Sequence, residues 1–196
     1  MPRFQLSTGG PGVHAFVNTA QIGRPAPVEG SDAFFVVGTG IWGPVNQATS
    51  VTGQTDFANQ FGGLSPNSRL ADAVYAFFEQ GGSRAHVVRV VGAAAAVATL
   101  TLNDRAGVPL ATLRVDAKYP SSVVDVRVTV EAGTEPNSVR LRFRSVKLNR
   151  DETFDNVRLT FTQQELDVIN AGKSPLTSIQ FINNTSTLVK LTDLAS

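Results

Sequence analysis

The sequence predicts an α/β unit joined to a strand-rich one, preceded by an extended arm. Three observations carry that prediction. Two apolar runs, Phe34-Phe35-Val36-Val37 and Val87-Val88-Arg89-Val90-Val91, flank a segment with helical periodicity. Beyond residue 93 the hydrophobic pattern changes to strict alternation. Before residue 31, Gly and Pro dominate, as in STGGPGV and IGRPAPVEG. Continuous apolar runs suit strands covered on both faces, whereas alternation suits strands with one wet face. The boundaries are an arm over 1–30, a partial α/β core over 31–92 and a strand-rich domain with one short helix over 93–196.

The arm comes first. Its prolines bias it to extended backbone. Within it, Val13, Ala15 and Val17 alternate with His14, Phe16 and Asn18, which is enough for a short strand. Two readings fit the composition: an arm carrying one strand, or a frayed terminus.

The run ending at Val37 is a strand stopped by Gly38, and QATSVT over 47–52 is a weaker one. Thr55 and Asp56 open a short helix, TDFANQF, stopped by Gly62-Gly63. Ser65-Pro66 and Ser68 begin a longer helix, 68–80. Its Leu70, Ala73, Val74, Phe77 and Phe78 share one stripe, and Gly81-Gly82 ends it. Strand, helix and doubly apolar strand make a βαβ unit with a parallel pair.

In the second unit Leu100 and Leu102 pair with Leu113 and Val115 across the turn NDRAGVP. Val124, Val126, Val128 and Val130 alternate with charged and polar residues, as do Val139, Leu141 and Phe143. Val157, Leu159 and Phe161 read as another strand. Thr162-Gln163-Gln164-Glu165 is a capping box opening a brief helix that closes at Gly172. Residues 178–183 and 187–191 read as strands. No internal repeat is visible.

Composition narrows function. Among 196 residues, 42% are hydrophobic and 17% charged, and the net charge of +1 gives no general pull towards nucleic acid or membrane. The absence of cysteine excludes disulfides, thiolate metal sites and cysteine nucleophiles. MPRFQLSTGGPGV lacks the apolar core of a signal peptide, and the longest apolar stretch, 90–100, is too short to span a bilayer, so the chain reads as soluble at synthesis.

Gly38-Thr39-Gly40-Ile41-Trp42-Gly43 is a literal G-x-G-x-x-G after a strand. A dinucleotide site needs a helix to start there, and Pro44 with VNQATSV forbids one, so the glycines are read as shaping a tight loop. His14 and His86 are the only histidines, and His86 is read as a structural imidazole rather than a base or ligand. Asp151, Glu152 and Asp155 fall in a stretch that looks like a turn: a solvated loop, or a loose cation site. Arg140, Arg142 and Arg144 share one strand face, with Lys147 and Arg150 beyond. Such a stripe can grip phosphates, which keeps open a monomeric module that contacts nucleic acid. However, Phe143 points to the opposite face, and Glu131, Glu135 and Asp151 stand close enough in sequence to neutralise the charge. Charge pairing is the favoured reading.

Residues 11–91 resemble the contractile tail sheath proteins of phages and related injection machines. The resemblance is carried by Pro11-Gly12-Val13, by Phe35-Val36-Val37-Gly38 with Gly43-Pro44-Val45-Asn46, and by Phe57 with Phe61-Gly62-Gly63-Leu64. Ala73-Val74-Tyr75-Ala76-Phe77-Phe78, Gly81-Gly82-Ser83-Arg84-Ala85 and Val87-Val88-Arg89-Val90 carry it further. Ala117-Lys118-Tyr119-Pro120 with Val126-Arg127-Val128-Thr129-Val130 looks like the start of the family's strand-rich region.

The resemblance implies a structural subunit without catalytic residues, cofactor or metal. It would polymerise around a tail tube and contract without nucleotide hydrolysis. The implied partners are other sheath subunits, the tube protein, and baseplate and tail terminator proteins, with no direct nucleic acid and no stable membrane insertion. The implied location is the virion tail, assembled in the host bacterial cytoplasm. Pro11, Gly12, Val13, His14, Ala15, Phe16 and Val17 would be the arm that adds a strand to a neighbour, and Arg84 and Arg89 would lie at the margins of core packing. Family subunits continue into more α/β core and a C-terminal arm, so the chain is expected to be an N-terminal portion or a shortened relative.

Overall fold

The computed structural model describes residues 33–104 and 106–194. Its first layer is a three-stranded sheet built from β1 (Ala33–Thr39), β2 (Ala48–Val51) and β3 (Arg84–Val90), in the order β1-β3-β2. β1 and β3 run parallel, as the sequence predicts, while β2 runs antiparallel on the far side of β3. Two helices cross between them, α1 (Gln54–Phe61) and α2 (Leu70–Glu79). Gly62 (φ +85°) ends the first and Gly81 (φ +88°) follows the second, both in the left-handed region where a Cβ is costly. Ser68 ties the start of α2 to the end of β1: its hydroxyl accepts from Leu70 N and donates to Thr39 O.

One face of this sheet is well covered. Val51, Ala85 and Val87 pack on Phe57, Phe61, Leu70, Ala71 and Val74, with Phe34 stacked on Phe77 at 4.9 Å.

The strand-rich part contains two more three-stranded antiparallel sheets. One is β4 (Thr99–Asn103), β5 (Ala111–Ala117) and β9 (Val189–Asp193), ordered β4-β5-β9; the pairing of Leu100 with Val115 and Leu102 with Leu113 is as expected. The other is a meander of β6 (Arg127–Ala132), β7 (Val139–Ser145) and β8 (Arg150–Val157). α3 (Gln163–Asn170) starts with the expected capping box, Thr162 Oγ1 accepting from Glu165 N while Glu165 accepts from Thr162 N.

Three expectations need correction. Residues 178–183 are not a strand: Ser178 caps a second helix, α4 (Ile179–Thr185), so this part holds two short helices rather than one. The strand expected at Val157, Leu159 and Phe161 lies earlier, at β8, and ends at Val157. The acidic stretch with Asp151, Glu152 and Asp155 is that strand and not a turn. Its charges lower strand propensity, but its partner β7 supplies arginines opposite them.

Both of these sheets feed one core, with Leu113, Val115, Val189 and Leu191 from the first and Leu141, Phe143 and Val157 from the second. Ile182 and Leu188 complete it together with two residues from the loop after β1, Ile41 and Trp42. Trp42 is 1% exposed and meets Tyr119 edge-on at 5.4 Å.

Candidate assembly surface

The outward face of the β1-β3-β2 sheet has no described helix or sheet upon it. Alternation along β1 sends Phe34 and Val36 towards the helices and Phe35 and Val37 away from them, where they are 74% and 66% exposed. On β3 the same alternation buries Ala85, Val87 and Arg89 and leaves His86, Val88 and Val90 half-buried on the open side. The register places Phe35 beside His86 and Val37 beside Val88, making a continuous apolar strip. His86 stacks on the Phe35 ring, centroids 4.8 Å apart, so its imidazole extends that strip. β1 and β2 are both outer strands of this sheet. An uncovered apolar face flanked by strand edges is chemistry for docking protein, through face packing or strand addition.

The glycine motif lies next to this face. After Thr39 the chain enters a loop, not a helix. Gly43 has φ +100°, and a Cβ there would meet Gln60 O at 2.7 Å, so the third glycine is required by close packing. Arg89 holds the loop from below: its Nε donates to Gly40 O at 2.8 Å and Nη1 to Gly43 O at 2.9 Å, while Nη2 donates to Pro120 O at 2.6 Å. The expected place of Arg89 at the margin of the packing is therefore wrong. It is 2% exposed and fastens the loop to the segment before β6. Its burial lowers its pKa from the ordinary arginine range. A sequence signal existed, since Arg89 continues the buried alternation of Ala85 and Val87. Arg84, by contrast, is exposed at the start of β3.

Two of the three stripe arginines, Arg140 and Arg142, are ion-paired, while Arg144 is exposed across from Asp151 in the strand register. Arg140 donates to Asp155 at 2.6 Å and lies 3.9 Å from Glu131. Arg142 and Asp151 form a fork, with bonds of 2.8 and 2.5 Å. Hydrogen bonding from Arg140 and then from Thr134 and the Asn156 backbone holds the Asp155 carboxyl well below the usual range; Arg142 does the same for Asp151. A bulge sets this geometry. Between the pairs Leu141–Phe154 and Val139–Val157, β8 carries two residues against one, with Asn156 at φ +57°. The Asn156 side chain accepts from Thr134 Oγ1 and Glu135 N, which clamps the turn before β7. Glu152 faces the other way and accepts from Ser186 Oγ and Thr187 N. Asp151 and Asp155 thus bind the neighbouring strand, and Glu152 binds the segment after α4. Among the described residues no cluster of His, Cys, Asp and Glu is arranged to hold a metal, and no helix is long and apolar enough to cross a membrane.

The arm residues Pro11 to Val17 lie outside the described residues.

No protein-family profile and no curated protein matches the chain. Solved structures that resemble it include two sheath tail proteins. A sheath tail protein from Listeria innocua is 15% identical with a TM-score of 0.48, over 83% of this chain and 30% of that one. A sheath tail protein from Desulfitobacterium hafniense is 11% identical with a TM-score of 0.46, over 84% and 32% respectively. The chain therefore spans about a third of the length of these proteins.

Proposed function

We propose that the protein is a structural subunit, or the N-terminal portion of one, of a contractile tail sheath. It polymerises around a tail tube and drives the tube through a cell envelope by contraction, with no nucleotide hydrolysed. The observation that carries this reading is the apolar sheet face at Phe35 and Val37, open beside a strand edge on β1. Such a surface is costly on a protein that works alone, since burying each large apolar side chain is worth about 1.5–3 kcal/mol. On a protein that works by assembly it is the point of attachment. The sequence resemblance over residues 11–91 supplies the kind of assembly. Residues 11–17 are the strand offered to a neighbouring subunit, and the further partners are the tube, baseplate and terminator proteins. The ion pairs of Arg140 and Arg142 favour charge pairing over a nucleic-acid reader at that face.

Electron microscopy tests the reading. The protein is expected to form tubes or rings of uniform width, and deletion of residues 11–24 should abolish them with no change in circular dichroism. A protein that stays monomeric at every concentration, or that forms the same polymers without residues 11–24, would overturn it.

A further inference from the structure

Buried Arg89 is among the residues that line a cavity of about 400 Å³, which opens between the glycine loop, the start of α2 and the segment before β6. Its lining is unusual in charge. Neutral donors and acceptors surround it, from Thr39, Ser65, Asn67, Ser121 and Ser122, and no carboxylate is among the lining residues. Arg140 and Arg142 on β7 are each set against a carboxylate. Arg89 has three backbone carbonyls instead. They supply dipoles but no opposite charge, and a guanidinium with five N–H donors keeps capacity beyond three bonds. Burial depresses the Arg89 pKa with no neighbouring acid acting to raise it. A buried charge is ordinarily matched by an opposite one, since desolvation costs several kcal/mol per ion. Backbone dipoles alone thus face the Arg89 charge, and the cavity beside it is where an opposite charge can be supplied.

We infer that this cavity binds a small oxyanion, a carboxylate or a phosphate, seated on Arg89 and held by the surrounding hydroxyl and amide groups. The volume is that of a small-ligand site, and access runs past the exposed Ser122. Planar, fork-shaped recognition by arginine suits both anion types.

Trp42 is the only tryptophan and adjoins Gly43, whose carbonyl Arg89 holds, so its fluorescence reports on the site. The full chain would be titrated with sodium phosphate, and separately with sodium acetate, at constant ionic strength made up with chloride. For at least one anion, a saturating change in emission is expected with a rise in Tm of about 4 °C. Ser122→Asp brings a carboxylate to the cavity mouth. It should raise Tm without added anion and lose the titration, whereas Ser122→Asn should titrate like the parent. Changes that never saturate with either anion, or an equal response in S122D and S122N, overturn the site.

Discussion

Phe35 and Phe143 both stand in the middle of a strand, yet one is 74% exposed and the other 0%. The difference lies in what each sheet is given to pack on. β7 belongs to a pair of sheets that close one core between them, so its inward residues are covered while Arg140 and Arg142 face outward to acids. β1 belongs to a single sheet with both helices on one side. Its sequence is apolar on both faces, but the described chain covers only one. An alternating strand states that one buried face is enough, whereas a continuous apolar strand states that cover is needed twice. Where the second cover is absent among the described residues, the pattern points to a segment or partner beyond them.

Trp42 offers the largest effect with which to break the comparison. It lies in the loop of the α/β layer but is buried in the core of the strand-rich part. Trp42→Ala is expected to cost about 3–5 kcal/mol, measured by urea unfolding. One transition should shift as a whole, followed alike by circular dichroism and by NMR signals from α1 and β5. Two separated transitions would show that the regions fold independently. Residues 93–196 expressed alone lack both Ile41 and Trp42, so an independently folding half has to close its core without them. The same variant measures how hard that is.

Much of this arrangement was legible in the residues. The glycine stops at Gly62 and Gly81, the stripe on α2, the parallel β1–β3 pair and the Thr162 capping box follow from local chemistry. So does the need for cover on both faces of β1, since its apolar run does not alternate. What escaped depends on contacts distant in sequence. SIQFIN at 178–183 alternates like a strand, and only burial of Ile182 in the shared core, with the Ser178 cap, selects a helix. RDETFDNV is too charged to read as a strand until the arginines of β7 lie beside it. Arg89 interrupts an apolar run, and nothing local shows that three carbonyls from two other segments converge on it.

A smaller effect sharpens the account of β7 and β8. Asp155 and Asp151 ionise more readily in the folded protein than in the unfolded chain, where a carboxyl titrates near pH 3.9. Their contribution to stability is therefore present above about pH 4 and is lost as pH falls through the lower folded-state values. Both are solvent-accessible, so the contribution is modest and salt-sensitive. Asp155→Asn is expected to lower Tm slightly at neutral pH and to flatten the decline in Tm below about pH 4. A Tm–pH profile parallel to the parent's throughout would show that the Arg140 pair does not stabilise the sheet.

The smallest effect on stability belongs to the open face, and there the smallness is itself the prediction. Phe35 and Val37 have little native burial to lose, so Phe35→Ser with Val37→Thr should move Tm by no more than about 2 °C. A serine for Phe34, one residue away but stacked on Phe77 beneath the helices, should instead cost about 3 kcal/mol or more. Association should respond in the opposite order. Sedimentation velocity of the folded Phe35→Ser/Val37→Thr protein is expected to show monomer at concentrations where the parent self-associates, because the strip beside His86 and Val88 has lost its apolar centre. The contrast between neighbouring residues separates covering from exposure without reference to any partner. If the double variant proves as destabilised as the Phe34 variant, another part of the same chain covers the face. The difference between β1 and β7 then disappears, and the surface offers no attachment point for assembly.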